Sequence, residues 1–320
     1  MTAHAQAQPA QLPPVVALVG ATGTGKSDLA IAVAEGLAEK SVTAEIVNAD
    51  AMQLYRGMDV GTAKLPEDER QGIPHHLLDV WEVTREASVA NYQALARAAI
   101  REVQSRGNVP LLVGGSGLYV SSVLYEFEFP GTDPSVRARL EARAESEGIP
   151  VLLKELAAKD PLAAAAIDPQ NTRRVIRALE VIEITGKPFG AGLDAEHRPW
   201  QDHTLVFGLH RERDELVPAL DKRVRSMWYR GFVDEVRSLI PQGIESGVTA
   251  SRAIGYQQIL EYLAGEMSEE DAIENTQSLT RRYARRQVSW FRRDQRTQWL
   301  TSGDTAAPDL VGNAILGALS

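Results

Sequence analysis

The octapeptide GATGTGKS, Gly20 to Ser27, lies between the apolar run VVALV and the stretch DLAIAVAEGLAE, whose apolar spacing is helical. A buried strand, a glycine-rich turn ending in Lys-Ser and a following helix leave few options for the chain. The turn fits G-x-x-x-x-G-K-[ST]. Its glycines let backbone N–H groups converge on phosphate oxygens, and the helix presents its positive N-terminus to the same point. Gly20, Ala21, Thr22, Gly23, Thr24, Gly25, Lys26 and Ser27 are therefore expected to cradle phosphate. Lys26 would supply a point charge and the Ser27 hydroxyl a ligand for Mg2+.

Further apolar runs extend this pattern. AEIVNAD, VPLLVGG and DHTLVFGLH read as strands, and QWL near the end as a short one. Helical spacing follows Ser27 to about Lys40 and recurs over 85–106. Strands alternating with helices imply right-handed crossovers and a parallel sheet, so the expected class is α/β, a P-loop NTPase-like parallel sheet flanked by helices. Ligands of such sheets gather at the carboxyl ends of the strands, which is where the glycine loop and Asn48-Ala49-Asp50 would sit. Between about Phe129 and Pro188 the pattern is helical with Pro and Gly punctuation and no strand. The expected organisation is a disordered tail over 1–13, a core built from 14–128 and 203–320, and a helical insertion domain over 129–202.

The absence of cysteine excludes disulfides and thiolate metal sites. The first residues carry no basic start and no apolar core of a secretory signal, and no run is long enough to span a membrane. A cytoplasmic chain with no membrane partner is expected. The formal net charge of −9 argues against a uniformly basic nucleic-acid surface. It hides an asymmetry: Arg281 to Arg296 holds seven Arg and one Asp, a net +6, which leaves −15 for the rest. On a helix at about 100° per residue, Arg281, Arg285, Arg292 and Arg296 share a stripe, with Arg282, Arg286 and Arg293 beside it. Tyr283, Ala284, Gln287, Val288, Trp290 and Phe291 fall opposite, as a docking face. Arginine without lysine favours planar, bidentate recognition of phosphates and stacking on bases. A second cluster, Arg173, Arg174 and Arg177, lies in the helical insertion.

Asp50 stands at a strand tip beside the glycine loop, where a carboxylate can serve as general base. Thr62 and Lys64, in GTAK, are candidates to reach phosphates. An NTPase usually also holds Mg2+ with a carboxylate at the end of another strand. Here LLV runs into Gly114-Gly115-Ser116-Gly117, and Asp79 is the remaining candidate. This favours a reaction in which the phosphates leave over one in which water attacks them. His75 and His76 are adjacent and point to opposite sides, a poor pair of ligands for one metal.

Taken together, GATGTGKS, NADAMQLYRGMDVGTAK, GIPHHLLDV, LLVGGSGLY, DPSVRARL, RRVIRALEV, LDKRVRSMWYRGFVDEV, AIGYQQ and RRYARRQVSWFRR resemble the bacterial tRNA dimethylallyltransferases, the IPP transferase family, from Val15 to about Leu300. The departures are small: Ala21 and Ala51 stand where Pro and Ser are common, and Ser116 where Thr is common. The resemblance implies transfer of a dimethylallyl group from dimethylallyl diphosphate to N6 of the adenosine 3′ of the tRNA anticodon, with Mg2+ as cofactor. It implies Asp50 as the base, Lys26 on the diphosphate and Arg223 neutralising the leaving group. It places tRNA against Asp50, Ala51, Met52 and Gln53, against Ser116 and Arg137, and against Gln170, Asn171, Thr172, Arg173 and Arg174. Arg252, Gly255, Tyr256 and Gln257 belong to the same implied surface, as do Arg282, Arg285, Arg286, Gln287, Trp290 and Arg293. The helical insertion would close over the anticodon stem-loop, and a monomer is expected. Rival readings are prenylation of a free adenine nucleotide, a small-molecule kinase, and a nucleotide-switched RNA-binding module in which Asp50 has no role.

Overall fold

The structure is a computed structural model that describes residues 12–127, 129–190 and 198–320. Residues 1–11 of the expected tail lie outside the described residues. Contacts divide the chain into two units, one formed by Met1–Leu124 with Gln201–Ser320 and the other by Tyr125–Trp200.

The first unit is built on a parallel sheet. Its strands are β1 (Val15–Gly20), β2 (Ala44–Asn48), β3 (His75–His76), β4 (Val109–Gly114), β5 (Thr204–His210) and β6 (Gln298–Thr301). Their order is β3-β2-β4-β1-β5-β6, so β1 is flanked by β4 and β5 and delivers the glycine loop to the middle of the sheet. Every residue of β1, β2 and β4 is buried, which is why these strands read as continuous runs and not as alternations. β3 is two residues long, too short for any periodic signal, and the sequence reading left it out.

Helix α1 (Lys26–Ala38) and the C-terminal α12 (Ala307–Leu319) pack on one face of the sheet. Leu29, Val33 and Leu37 of α1 meet Val16, Leu18, Ile46 and Leu111, and Val311 and Ile315 of α12 complete that core. Burying each such side chain stabilises by roughly 1.5–3 kcal/mol. Ala17, Val19, Val47 and Leu112 alternate with the first set and are equally buried. They face α2 (Val89–Ser105), α3 (Gly117–Leu124) and α11 (Glu269–Phe291). The helix expected over 85–106 thus begins at Val89, where the Ser88 hydroxyl accepts from Asn91 N. Helices α8 (Arg213–Tyr229), α9 (Phe232–Leu239) and α10 (Tyr256–Leu263) precede α11. Among the described residues no helix is long and apolar enough to cross a membrane.

The second unit holds α4 (Pro134–Glu147), α5 (Ile149–Lys159), α6 (Pro161–Ala166) and α7 (Thr172–Thr185). Asp133, Asp160 and Asn171 cap three of them through side-chain oxygens. Leu140, Leu152, Leu156, Val175 and Leu179 form its own core. Glu180 is fully buried there and accepts from Arg137 at 3.0 Å, Arg177 at 2.8 Å and Asp133 N at 3.0 Å. Burial alone would raise this carboxyl, but the two arginines and the amide together hold it below its usual range.

The paired histidines have a structural role at the edge of the sheet. His76 Nε2 lies 2.6 Å from Oε2 of Glu45, a buried residue of β2. Arg106 donates to the same carboxylate at 2.8 and 3.1 Å, and Asn108 at 2.7 Å. His75 Nδ1 lies 2.8 Å from Ile73 O, so the two rings serve different partners. Burial would raise the Glu45 carboxyl, but hydrogen bonds from Arg106, Asn108 and His76 outweigh it and hold it down at about 2. The folded value lies below the unfolded one, so the stabilisation is present above about pH 4.5 and lost as pH falls towards 2. Chemical denaturation across that window should show a steep loss of stability in the wild type. Glu45→Gln should be less stable at neutral pH and show a shallower slope; an unchanged slope would remove Glu45 as the acid-sensitive group.

Candidate active site

The glycine loop is shaped by close approach. Gly20 ends β1 at φ 146°, and a Cβ there would lie 2.7 Å from Leu209 O on β5. Gly23 and Gly25 sit in the left-handed region at φ 79° and 82°, which only glycine adopts without strain. The underside of the loop is apolar: Ala21 packs against Leu216 and Leu220 of α8 and Ala284 of α11. Thr24 Oγ1 donates to Ala21 O at 2.9 Å, and Ser302 Oγ, just past β6, donates to Thr24 O at 2.9 Å. Gln287 of α11 braces the loop from the side. It accepts from Thr22 N at 2.9 Å and donates to Gly115 O at 2.8 Å.

Lys26 opens α1, and its ammonium donates to Ala21 O at 2.6 Å. Burial pushes its pKa down to about 8; the charge of Asp50 works the other way and Arg223 adds to the depression. Arg223, on α8, is likewise lowered by burial and raised by Asp50. It makes no hydrogen bond or ion pair among the described residues, so its five donors are unspent.

Asp50 follows the tip of β2 in a tight turn. Asn48 Oδ1 accepts from Asp50 N at 3.0 Å, and Asp50 Oδ1 accepts from Met52 N at 2.9 Å. Tyr92 OH fixes Asn48 O at 2.9 Å, and Ser116 Oγ accepts from Ala51 N at 3.1 Å. Ser116 Oγ is also 3.4 Å from the Tyr283 hydroxyl. Three buried phenols feel the Asp50 charge: Tyr92, Tyr119 and Tyr283 are raised chiefly by burial, with Asp50 contributing to each, and Tyr283 reaches about 12. The glycines after β4 have a steric reason. A Cβ on Gly114 would lie 2.3 Å from Ala49 O, one on Gly115 2.3 Å from Gln287 Nε2, and one on Gly117 2.5 Å from the Trp290 ring. A metal-binding carboxylate has no room at that strand end.

One cavity of about 690 Å³ joins these parts. Thr22 to Ser27, Asn48, Asp50, Gln53, Thr62 and Arg223 line it, and a second arm reaches Arg211 and Thr301 to Asp304. Among the described residues no three His, Cys, Asp or Glu side chains form a metal cluster. The Ser27 hydroxyl would offer an oxygen donor at the loop, and phosphate and water oxygens would complete the shell. That set suits Mg2+, which keeps several waters and binds through few protein ligands plus phosphate.

Several expected site residues have other work. Lys64 is buried and donates to Asp59 and Asp79 at 2.6 Å each and to Tyr55 O at 2.9 Å, so it does not reach phosphate and Asp79 is spent as its partner. Gln287, Gly255 and Tyr256 are buried and do not present a surface to tRNA; the Tyr256 hydroxyl donates to Glu235 at 2.6 Å. The arginine stripe is also shorter than a continuous helix would make it. α11 ends at Phe291, which puts Arg293 and Arg296 beyond it, and Arg281 and Arg296 pair with Asp221 and Asp294.

Arg282, Arg285 and Arg292 are exposed and have no ion pair among the described residues, while Arg286 lies over Tyr283 and Arg293 over Trp290 at 5.9 and 5.8 Å. Trp290 Nε1 donates to Ser121 Oγ at 3.0 Å. Arg252 and Gln257 are exposed, and Ala51, Met52 and Gln53 are half-buried around Asp50. In the second unit Gln170, Asn171, Thr172, Arg173 and Arg174 are all exposed at the start of α7, whereas Arg137 is engaged with Glu180. Sequence reasoning missed the three phenols, the Gln287 brace and the Thr301–Asp304 arm. Of the glycines after β4, Gly115 is the one that the brace requires.

The IPP transferase family model matches residues 53–294. The chain is 59% identical over 88% of its length to a tRNA dimethylallyltransferase of Clavibacter sepedonicus, covering 91% of that protein. A second, from Thermobifida fusca, is 56% identical over 94% of the chain and 92% of its own. Among solved structures, the tRNA isopentenylpyrophosphate transferase of Bacillus halodurans superposes with a TM-score of 0.69 at 38% identity, over 96% and 97% of the two chains. A eukaryotic dimethylallyltransferase solved acting on tRNA gives 0.75 at 28% identity, over 94% of this chain and 77% of that one. A phosphate-binding loop, an ordered strand-tip aspartate and an arginine with free donors around one cavity agree with that match: the chain belongs to the IPP transferase family.

Proposed function

We propose that the chain, acting as a cytoplasmic monomer, transfers a dimethylallyl group from dimethylallyl diphosphate to N6 of the adenosine 3′ of the tRNA anticodon. One observation carries this reading: Asp50, Lys26 and Arg223 share a cavity with the glycine loop, while the strand end where an NTPase keeps its metal carboxylate is filled by Gly114 and Gly115. The relatives' names support the chemistry, since they are tRNA dimethylallyltransferases.

The diphosphate would rest on the N–H groups of the loop, on Lys26 and on Arg223. Mg2+, held by Ser27 and diphosphate oxygens, would supply further charge neutralisation. As the bond from the allylic carbon to oxygen breaks, negative charge grows on the leaving diphosphate. Fixed donors aimed there stabilise the transition state more than the ground state. N6 forms the new bond to carbon and gives its proton to Asp50. An aromatic amine is a weak nucleophile, so a carboxylate fixed by Met52 N and the Asn48 turn contributes through position as well as basicity. The exposed arginines Arg282, Arg285 and Arg292, with Arg252, would meet the phosphates of the anticodon stem-loop.

Purified protein with unmodified tRNA, radiolabelled dimethylallyl diphosphate and Mg2+ should label the tRNA and leave AMP unlabelled in a parallel reaction. Label in AMP would move the acceptor to a free nucleotide, and label in neither would return the loop to ATP. In the same assay Asp50→Ala should lose about 10²–10⁴-fold in kcat with tRNA affinity unchanged. Full activity would remove Asp50 from the mechanism.

Lys26 gives a proton-linked signature. Its pKa near 8 in the free protein must rise when an anion binds, so complex formation above that pH takes up a proton. Calorimetric titration of dimethylallyl diphosphate at about pH 8.5 in two buffers of different ionisation heat should show that uptake, and Lys26→Met should abolish it. Heats independent of buffer in the wild type would take Lys26 off the diphosphate.

Charge reversal of Arg285 and Arg292 together should weaken tRNA binding and flatten its dependence on salt, because fewer counterions are released. A salt slope equal to the wild type would make these arginines ordinary surface.

A further inference from the structure

Glu235 stands on α9 and lines no part of the cavity, yet its carboxylate is filled on both oxygens. Oε2 accepts from Asp59 N at 3.0 Å and Val60 N at 2.6 Å, and Oε1 from Gly61 N at 3.1 Å and the Tyr256 hydroxyl at 2.6 Å. Three successive backbone N–H groups aimed at one point make an anion nest, and here the anion is a side chain of the protein itself. Gly61 is pressed into place: a Cβ would lie 2.1 Å from the Phe232 ring and 2.7 Å from that of Tyr256. Those rings cross edge to face with centroids 4.8 Å apart.

The segment held this way leads directly into the cavity wall. Thr62 and Ala63 follow Gly61 and line the cavity, as do Gln53 and Leu65. Gln53 Nε2 donates to Thr62 O at 3.2 Å, and Lys64 pins the far side through Asp59, Asp79 and Tyr55 O. Ala63 sits at φ 47°, a left-handed conformation that a residue with a Cβ keeps only when its surroundings impose it. Without Glu235 the amides of Asp59, Val60 and Gly61 lose their only acceptor on α9, and the strain at Ala63 has a route to relax.

We propose that Glu235 is a positioning residue for the transfer reaction: it holds the Asp59–Gly61 backbone so that Thr62 and Ala63 form one wall of the donor cavity before the donor binds. The proposal rests on the prenyl-transfer reading above. Glu235→Gln keeps the size and removes the anion, turning one acceptor into a donor that faces N–H groups. Tyr256→Phe is milder, deleting one hydrogen bond and leaving the nest.

In Glu235→Gln, hydrogen exchange at the Asp59–Gly61 amides should speed up, KM for dimethylallyl diphosphate should rise, and kcat should fall by up to about 100-fold. tRNA affinity measured by filter binding should stay at the wild-type value, and Tyr256→Phe should fall between the two. A merely structural role would lower the fraction of active enzyme and leave KM unchanged. That result, or wild-type exchange with wild-type kcat, overturns the proposal. If the wild type itself transfers nothing to tRNA, the functional reading fails. The Glu235 proposal is then judged on dimethylallyl diphosphate affinity, and an unchanged affinity in Glu235→Gln overturns it.

Discussion

The carboxamide of Gln287 joins the glycine loop after β1 to the end of β4. It accepts from Thr22 N on the phosphate loop and donates to Gly115 O at the end of β4. Both groups of the amide are used, and the residue is buried, so losing either partner would leave an unsatisfied polar group in a poorly hydrated place. The brace works only because β4 ends in glycines: a side chain at Gly115 would strike the amide, and one at Gly114 would strike Ala49. Ala49 in turn carries Asp50. The spacing between the glycine loop and Asp50 is therefore set by backbone-to-backbone approach, with one glutamine as the gauge.

Charge is arranged around that frame in a compensating pattern. Lys26 and Arg223 are both depressed by burial, and Asp50 offsets part of the cost for each. Lys26 and Arg223 share the cavity with Asp50 and Asp28, so its cations are held beside carboxylates and an incoming diphosphate would add the negative charge they lack when buried. The three phenols that feel the Asp50 charge are pushed up and stay neutral, so they supply hydrogen-bonding capacity without adding negative charge. Elsewhere the molecule neutralises its buried charges internally. Glu45, Lys64 and Glu180 each carry several partners, as expected where an unpaired buried ion would be costly.

The surface arginines divide along the same line. Those with an acidic neighbour, Arg281 on Asp221 and Arg137 on Glu180, stabilise the body that carries them. Arg282, Arg285 and Arg292 have no ion-pair partner among the described residues and are exposed. A helical wheel gives the direction of a side chain and not its partner, so it puts the paired Arg281 on one stripe with Arg285 and Arg292.

The sequence by itself determined the parallel sheet, the glycine loop and the position of Asp50 at a strand tip. These follow from local rules: continuous apolar runs for doubly buried strands, glycine where φ must be positive, a helix N-terminus after the turn. The two-residue β3 carried no periodic signal, and Lys64 in GTAK read as a phosphate ligand because nothing local reveals Asp59 and Asp79 closing on it. The resemblance implies tRNA contacts for Tyr256 and Gln287, yet both are buried, because burial is decided by what packs against a helix from far along the chain. The phenols that feel the Asp50 charge come from α2, α3 and α11, and the Glu235 nest from α9 and a turn about 175 residues earlier. Such convergence depends on long-range packing, which only the tertiary structure decides.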